Sequence, residues 1–361
     1  MGGILQMPEV TYICDSFSTV YMDSLTQIVL GAACGEAILG KKIGNKALLF
    51  GAIAGTIPDL DVFVGNWLFS NEIDVTMFHR GFMHSIVFAV LGAFAFGWLT
   101  FWLYNRGSRT GSTNRNDWIL MFFLALFTHP LLDCFTPYGT QLFLPFSDYR
   151  VAFDTISVVD PLYTLPFLMA MIALMFFSRK NTKRQLWLKI GLGISSLYLL
   201  LTVINKLNIT QIFKNSFDKA NIKYTRFRTQ PSIFNNVLWY GIAETETDYM
   251  VGYYSLFDQH RNVSDMMRIP KQHDLANLSH PDLERLSWFS DGYFRLESTS
   301  SQDTLRYKDL RYPLLNPKDE NSSVFNFKLF QTGERWDIRQ DFDRTPTSKD
   351  FEAFWQRLKG N

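Results

Sequence analysis

Cysteine, histidine and net charge are all scarce in this 361-residue sequence. Its three cysteines, Cys14, Cys34 and Cys134, are an odd number with no closely spaced pair, which argues against a disulfide framework, a zinc knuckle or a redox motif. A formal net charge of +1 gives no bulk electrostatic case for a nucleic-acid partner. The first 21 residues lack a basic leading region, and Glu9 and Asp15 interrupt their apolar run, so they do not read as a signal peptide. Met22 followed by Asp-Ser-Leu-Thr-Gln has the form of a natural start. Residues 1–21 are therefore expected to be an unstructured N-terminal extension.

What is abundant is apolar and aromatic: 47% of residues are hydrophobic and 33 are phenylalanine. These are unevenly spread. Residues 22–207 carry nearly continuous apolar runs, and residues 208–361 carry most of the charge. The runs are Ser24–Gly40, Ala47–Ile57 continuing past Pro58 to Phe69, Phe82–Tyr104, Trp118–Phe135, Pro161–Phe177 and Leu186–Leu207. A helix needs about 20 apolar residues to cross a bilayer, so the pattern predicts an all-α polytopic membrane domain of five to six helices. Glu36 lies inside the first run; Lys41 and Lys42 follow at spacings of five and six, which do not align on a helix.

Basic residues occupy every second connection: Lys41, Lys42 and Lys46; Arg106, Arg109 and Arg115; Arg179, Lys180, Lys183 and Arg184. Such loops face the cytoplasm. The alternate connections hold little Lys or Arg beyond Arg80 and Arg150 and are expected to face outward. That bias, taken without reference to any motif, puts three polar clusters on one side of the membrane. Asp59 and Asp61 close the second run, His79 and His84 open the third, and His129 and Asp133 lie toward the outer end of the fourth.

Ionisable residues at membrane depth point to function. His129 and Asp133 are four apart and share a helical face. His79 and His84 are five apart, which places His79 in the loop and His84 in the first turn. Three imidazoles and three carboxylates suit zinc or manganese, with room for two ions. A bound divalent metal activates water near neutral pH, and Arg80 suits an anionic group such as phosphate. Each residue alone also has an ordinary structural role: a histidine in an apolar helix is more often a packing residue, and Asp160 before Pro161 is a usual helix start. Convergence from separate helices is what favours a site. The Pro/Gly-rich stretch from Phe135 to Ser147 breaks the helical pattern, and Thr136, Thr140 and Gln141 are placed to line the mouth.

These motifs resemble the YdjM-like family of membrane-bound metal-dependent hydrolases. The resemblance rests on Asp23-Ser-Leu-Thr-Gln27, Pro58-Asp-Leu-Asp61, His79-Arg-Gly-Phe-Met-His-Ser85, Thr128-His-Pro-Leu-Leu-Asp133 and Thr136-Pro-Tyr-Gly-Thr-Gln141, and spans about Met22 to Phe177. The family is distantly similar to the helical zinc-dependent phospholipase C and single-strand nuclease superfamily. The resemblance implies a phosphodiester-type substrate and a metal site of Asp59, Asp61, His79, His84, His129 and Asp133, with Asp61, His84 and Arg80 in the catalytic roles. Many relatives carry a histidine near the first helix where this chain has Thr26-Gln27.

The last apolar run leads outward, so residues 208–361 are expected to form a soluble, extracytoplasmic α+β domain. Alternation at Lys223–Arg228, Val237–Ile242 and Met250–Ser255 predicts antiparallel strands. Tyr293–Glu297, Leu305–Tyr307 and Val324–Phe330 are expected in the same sheet. Thr347–Leu358 reads as a capped closing helix with Phe351, Phe354, Trp355 and Leu358 on one stripe. His260, His273 and His280 lack ligand spacing. The expectation is a multi-pass protein of the bacterial inner membrane, hydrolysing a phospholipid or other envelope phosphoester with a zinc or manganese ion. The contrasting expectation is a non-catalytic adaptor or transporter component with structural polar clusters.

Overall fold

The computed structural model describes residues 9–263, 265–273, 280–299, 304–323, 325–341 and 347–360. The membrane half is built of eight helices: α1 (Glu9–Ile43), α2 (Asn45–Thr56), α3 (Asp61–Leu68), α4 (Glu72–Phe78), α5 (Ile86–Tyr104), α6 (Arg115–Asp133), α7 (Pro161–Met175) and α8 (Thr182–Lys219). Residues 9–21, expected to stand outside the fold, belong to the helix α1; residues 1–8 lie outside the described residues.

The six apolar runs each correspond to helical segments, but their lengths differ from expectation. Among the described residues, α5 and α8 are long and apolar enough to cross a membrane, and α2 with the segment Pro58–Leu68 passes as a third only if the pair, bent by 45°, counts as one span. α7 is apolar but shorter. The bend follows from Pro58, which cannot donate a hydrogen bond and tightens the chain into one 3₁₀ turn over Pro58–Leu60.

The helices pack as neighbouring pairs, α1 with α2, α5 with α6, and α7 with α8. The α1–α2 crossing depends on glycine: a Cβ at Gly35 would stand 2.0 Å from the Ala47 carbonyl oxygen, and one at Gly51 2.2 Å from that of Gly31. Small residues allow such backbone approach in membrane bundles. Glu36 finds its partner in tertiary space, not in Lys41 or Lys42. Arg184 of α8 grips it with Nε–Oε1 at 2.7 Å and Nη2–Oε2 at 2.6 Å, both residues fully buried. Arg184 is thus part of the core, although the sequence counts it with the basic loop. Lys42 instead pairs with Asp117 of α6 at 2.5 Å.

The expected domain boundary at 207/208 falls inside α8, which continues to Lys219. The continuation persists because Ile209, Ile212, Phe213 and Phe217 form an apolar face packed on the first sheet. Residues beyond α8 form two four-stranded antiparallel meanders, not the single sheet expected. The first comprises β1 (Arg226–Pro231), β2 (Leu238–Glu244), β3 (Asp248–Ser255) and β4 (Met266–Pro270). Helix α9 (Pro281–Phe289) then leads to β5 (Phe294–Ser298), β6 (Thr304–Asp309), β7 (Asn326–Thr332) and β8 (Arg335–Gln340). Val324, expected in a strand, lies outside the described residues.

α10 (Ser348–Leu358) closes the chain behind a Thr347/Asp350 capping box. Phe354 of its apolar stripe is buried, whereas Phe351 and Trp355 are exposed. The second sheet has its own core of Leu296, Tyr307, Leu329 and Ile338, and Ile73 from α4 of the membrane half is inserted into it. The two halves are therefore joined by packing as well as by chain.

Candidate metal centre

Each side chain of the centre is delivered by an irregular stretch or a helix end. The 3₁₀ turn after Pro58 presents Asp59, and Asp61 starts α3. α4 stops at His79, whose extended backbone leads into Arg80 at φ +57°. A non-glycine residue in that left-handed region is held against a cost of about 1–3 kcal/mol. Here the turn is fixed at both ends of the residue: the Arg80 amide donates to Asp61 Oδ2 at 2.8 Å, and its carbonyl accepts from the Gln141 amide at 3.1 Å. One 3₁₀ turn, Phe82–His84, then places His84 immediately before Ser85, the N-cap of α5. His129 and Asp133 project from the last turns of α6.

These elements bring Asp59, His84 and His129 together, with one ligand atom from each within 4.8 Å of the others. His84 Nε2 and His129 Nε2 are 3.2 Å apart, and Asp59 Oδ1 stands 3.5 Å and 3.3 Å from them. Asp133 Oδ2 lies 3.4 Å from each imidazole nitrogen.

The far side of the His129 ring fixes its tautomer. His129 Nδ1 is 2.6 Å from the Gly55 carbonyl oxygen, which can only accept, so Nδ1 carries the proton. His84 Nδ1 faces Asp61 Oδ2 at 3.1 Å, close though poorly aligned for a hydrogen bond. Both Nε2 atoms are turned toward one another and toward two carboxylate oxygens. Asp133 Oδ2 has no hydrogen-bond partner and is buried. Such a convergence of acceptors is unfavourable unless positive charge sits among them. Ligands about 2.0–2.1 Å from a tetrahedral zinc stand about 3.3–3.4 Å apart, which matches the separations here. The residues fit a divalent cation.

The remaining expected ligands stand outside this triangle. Asp61 is buried behind His84 and accepts from His79 Nδ1 at 2.8 Å. His79 is thereby turned to Asp61, its ring 5.5 Å from that of Tyr138. Arg80 is buried, donating to Thr136 Oγ1 at 3.0 Å and lying 3.6 Å from Asp133 Oδ1. Of the expected mouth residues, Thr136 meets Arg80, Gln141 reaches the Met77 carbonyl at 3.4 Å, and Thr140 is buried with its hydroxyl unpartnered. Gln27 donates to Asp133 Oδ1 at 2.8 Å and to the His129 carbonyl at 3.2 Å. It thus holds the Asp133 carboxylate from α1. Asp160 is apart from the centre, capping α7 and accepting from Tyr198 at 2.8 Å.

Sequence reasoning missed the contribution of the Gly55 carbonyl, which has no side-chain signal, and the proximity of the strand-rich half. Arg150 lies over three rings: its guanidinium carbon is 4.8 Å from the Tyr138 centroid, 5.0 Å from Phe289 and 5.6 Å from Trp288. The latter two belong to α9. Across the same seam Arg228 pairs with Asp154 at 2.5 Å, and Asp74 of α4 pairs with Arg285 at 2.5 Å and Arg335 at 2.9 Å.

The sequence profile of the family described as YdjM inner membrane protein matches residues 22–209, just over half of the chain and every residue of the centre. A Bacillus subtilis (strain 168) protein described as uncharacterized protein YfhP is 31% identical over 147 residues, which cover 39% of this chain and 42% of that relative. No solved structure matches.

Proposed function

The chain belongs to the YdjM inner membrane protein family, and from that premise we propose that it is a membrane-bound metal-dependent hydrolase acting on a phospholipid or another envelope phosphoester. The reading is carried by one observation: His84 and His129 turn their Nε2 nitrogens toward each other with Asp59 and Asp133 beside them. Asp59, His84 and His129 would hold the ion, with Asp133 at its edge. When bound, a divalent ion supplies Lewis acidity and a source of hydroxide near neutral pH.

The chain's own residues do the rest. Asp61 orients His84 and, through the Arg80 amide, fixes the strained turn that carries it. The Gly55 carbonyl orients His129. Such outer partners set ring orientation and ligand basicity. Arg80, braced by Thr136, keeps a positive charge beside Asp133, where an anionic substrate group is attracted. The alternating basic loops support an outward-facing site, a polytopic arrangement of five to six helices in the inner membrane and an extracytoplasmic C-terminal half.

Elemental analysis and phosphodiesterase assays on the purified full-length protein test the reading. Stoichiometric zinc or manganese, lost in His84→Ala and His129→Ala together with chelator-sensitive hydrolysis, is the expected result. Equal metal content in wild type and both variants would overturn the centre. Metal retention without hydrolysis of any phosphodiester or phospholipid offered would overturn the enzyme reading and leave a structural ion.

A further inference from the structure

The seam between the two halves holds a second concentration of charge that the proposed chemistry does not use. Arg80 and Arg150 each lie 4.8 Å from the centroid of the Tyr138 ring. That ring meets Phe289 of α9 edge-on at 5.5 Å, and Arg311 of the strand-rich half lies 4.7 Å from Phe289. Three guanidiniums thus surround one pair of aromatic rings.

Two of them are balanced. Arg311 is tied to Asp309, with Nη2–Oδ2 at 2.6 Å, and Arg80 faces Asp133. Arg150 is not. Its Nη2 donates to the Tyr138 and Gly139 carbonyls at 3.2 Å and 3.3 Å, while Nε and Nη1 are buried without a partner. Among the described residues no carboxylate pairs with it. Burial, with Arg311 and Arg80 nearby, pushes its guanidinium down to about 10, which still leaves it charged at neutral pH. The Tyr312 hydroxyl, within electrostatic reach of Arg150, is also buried and unpartnered.

Aromatic faces stabilise a guanidinium by about 0.5–2 kcal/mol but accept none of its hydrogen bonds along the N–H directions. A half-buried cation whose Nε and Nη1 are sealed from water without a partner calls for an anion.

We infer that Arg150, with Arg80, Arg311 and the Tyr312 hydroxyl around it, forms a binding subsite for a phosphate-type oxyanion, closed only when the strand-rich half is docked on the membrane half. Donors approach from three separate chain segments, which suits a tetrahedral anion better than a flat carboxylate. Guanidinium forks recognise such oxygens in pairs. The subsite adjoins the metal centre through Arg80, which touches Asp133. Assigning the anion as the substrate's own phosphoryl or headgroup rests on the hydrolase reading; the existence of the subsite does not.

The test is calorimetric titration of the full-length, chelator-treated protein in detergent with inorganic phosphate, alongside nanodiscs of phosphatidylcholine with and without phosphatidic acid. Saturable binding is expected in wild type, weakened by about tenfold or more in Arg150→Gln, as loss of a charge-assisted pair implies, and partly restored in Arg150→Lys. Tyr312→Phe, which keeps the packing, is expected to weaken it by a smaller factor. Phosphate binding without preference for phosphatidic acid assigns a soluble ligand, and preference for phosphatidic acid assigns a lipid headgroup; both uphold the subsite. No saturable binding of either probe, or equal binding in wild type, Arg150→Gln and Tyr312→Phe, overturns it. Because the ion is removed beforehand and its content is measured separately in each variant, failure here is distinguishable from failure of the metal centre.

Discussion

Asp61 is the residue on which the centre's geometry converges. Its two oxygens face His79 Nδ1, His84 Nδ1 and the amide of the strained Arg80. Asn at this position keeps the size but loses one acceptor and the charge. Asp61→Asn is expected to weaken metal binding by about 10–100-fold, the usual cost of removing an outer partner of a histidine ligand, without abolishing it as His84→Ala does. Competition against a metallochromic chelator measures this, and an unchanged affinity would remove Asp61 from the orienting role. Histidine and aspartate were legible as candidates because such groups are scarce beside apolar runs. Which of the six converge on one point was not, because a side chain's direction depends on the turn that carries it. His79 and His84 lie on either side of the Arg80 turn and both face Asp61, but only His84 also reaches His129.

At the scale of elements, the bundle is keyed by close backbone contact and one buried ion pair. Glu36 on α1 and Arg184 on α8 are bidentate and buried. Removing one partner leaves the other charge uncompensated, at a cost of about 3–5 kcal/mol. Glu36→Ala is therefore expected to lower the thermal midpoint in detergent markedly, with Glu36→Ala/Arg184→Met recovering part of it; a midpoint equal to wild type in the single variant would contradict the account. α8 is also the arm that carries the first sheet. Gly241 on β2 accepts Phe213 face-on, and a Cβ there would stand 2.2 Å from the ring. Gly241→Ala is expected to cost about 1–3 kcal/mol by overpacking, read as earlier unfolding of the strand-rich half by hydrogen exchange, with metal content unchanged. Equal exchange rates in wild type and Gly241→Ala would show that the contact relaxes without cost.

On the scale of the whole molecule, docking of the strand-rich half depends on carboxylates. Asp74 sits between Arg285 and Arg335, and Asp282 shares Arg335 at 2.6 Å. Partial burial opposes ionisation of Asp74, but the hydrogen bonds from Arg335 and Arg285 win and hold it below the usual carboxylate value. Asp282 is lowered against the same desolvation by Arg335 and the Trp336 amide. A depressed folded value means the contribution is present above the ordinary carboxylate pKa of about 4. It is lost as pH falls through the lowered values. Docking is expected to be constant from neutral pH down to about 5 and to loosen below about 4, and Asp74→Asn at neutral pH should reproduce part of that loosening. Limited proteolysis of the seam across this range checks it; docking that weakens instead on raising the pH from 5 to 8 would reverse the sign and refute the carboxylate account.

Apolar run length, the aspartate and histidine motifs and strand alternation were determined by the sequence alone, because each is a local pattern read over a few residues. They placed a helical membrane half before a strand-rich half and singled out Asp59, His84, His129 and Asp133, which the fold brings together. Tertiary structure alone decided the rest. It split the strands into two meanders, extended α8 past the expected boundary, gave Glu36 its partner 148 residues away, and set Arg150 and α9 over the Tyr138 ring. Those outcomes depend on which surfaces meet, and contact between residues far apart in the chain leaves no periodic trace in either segment.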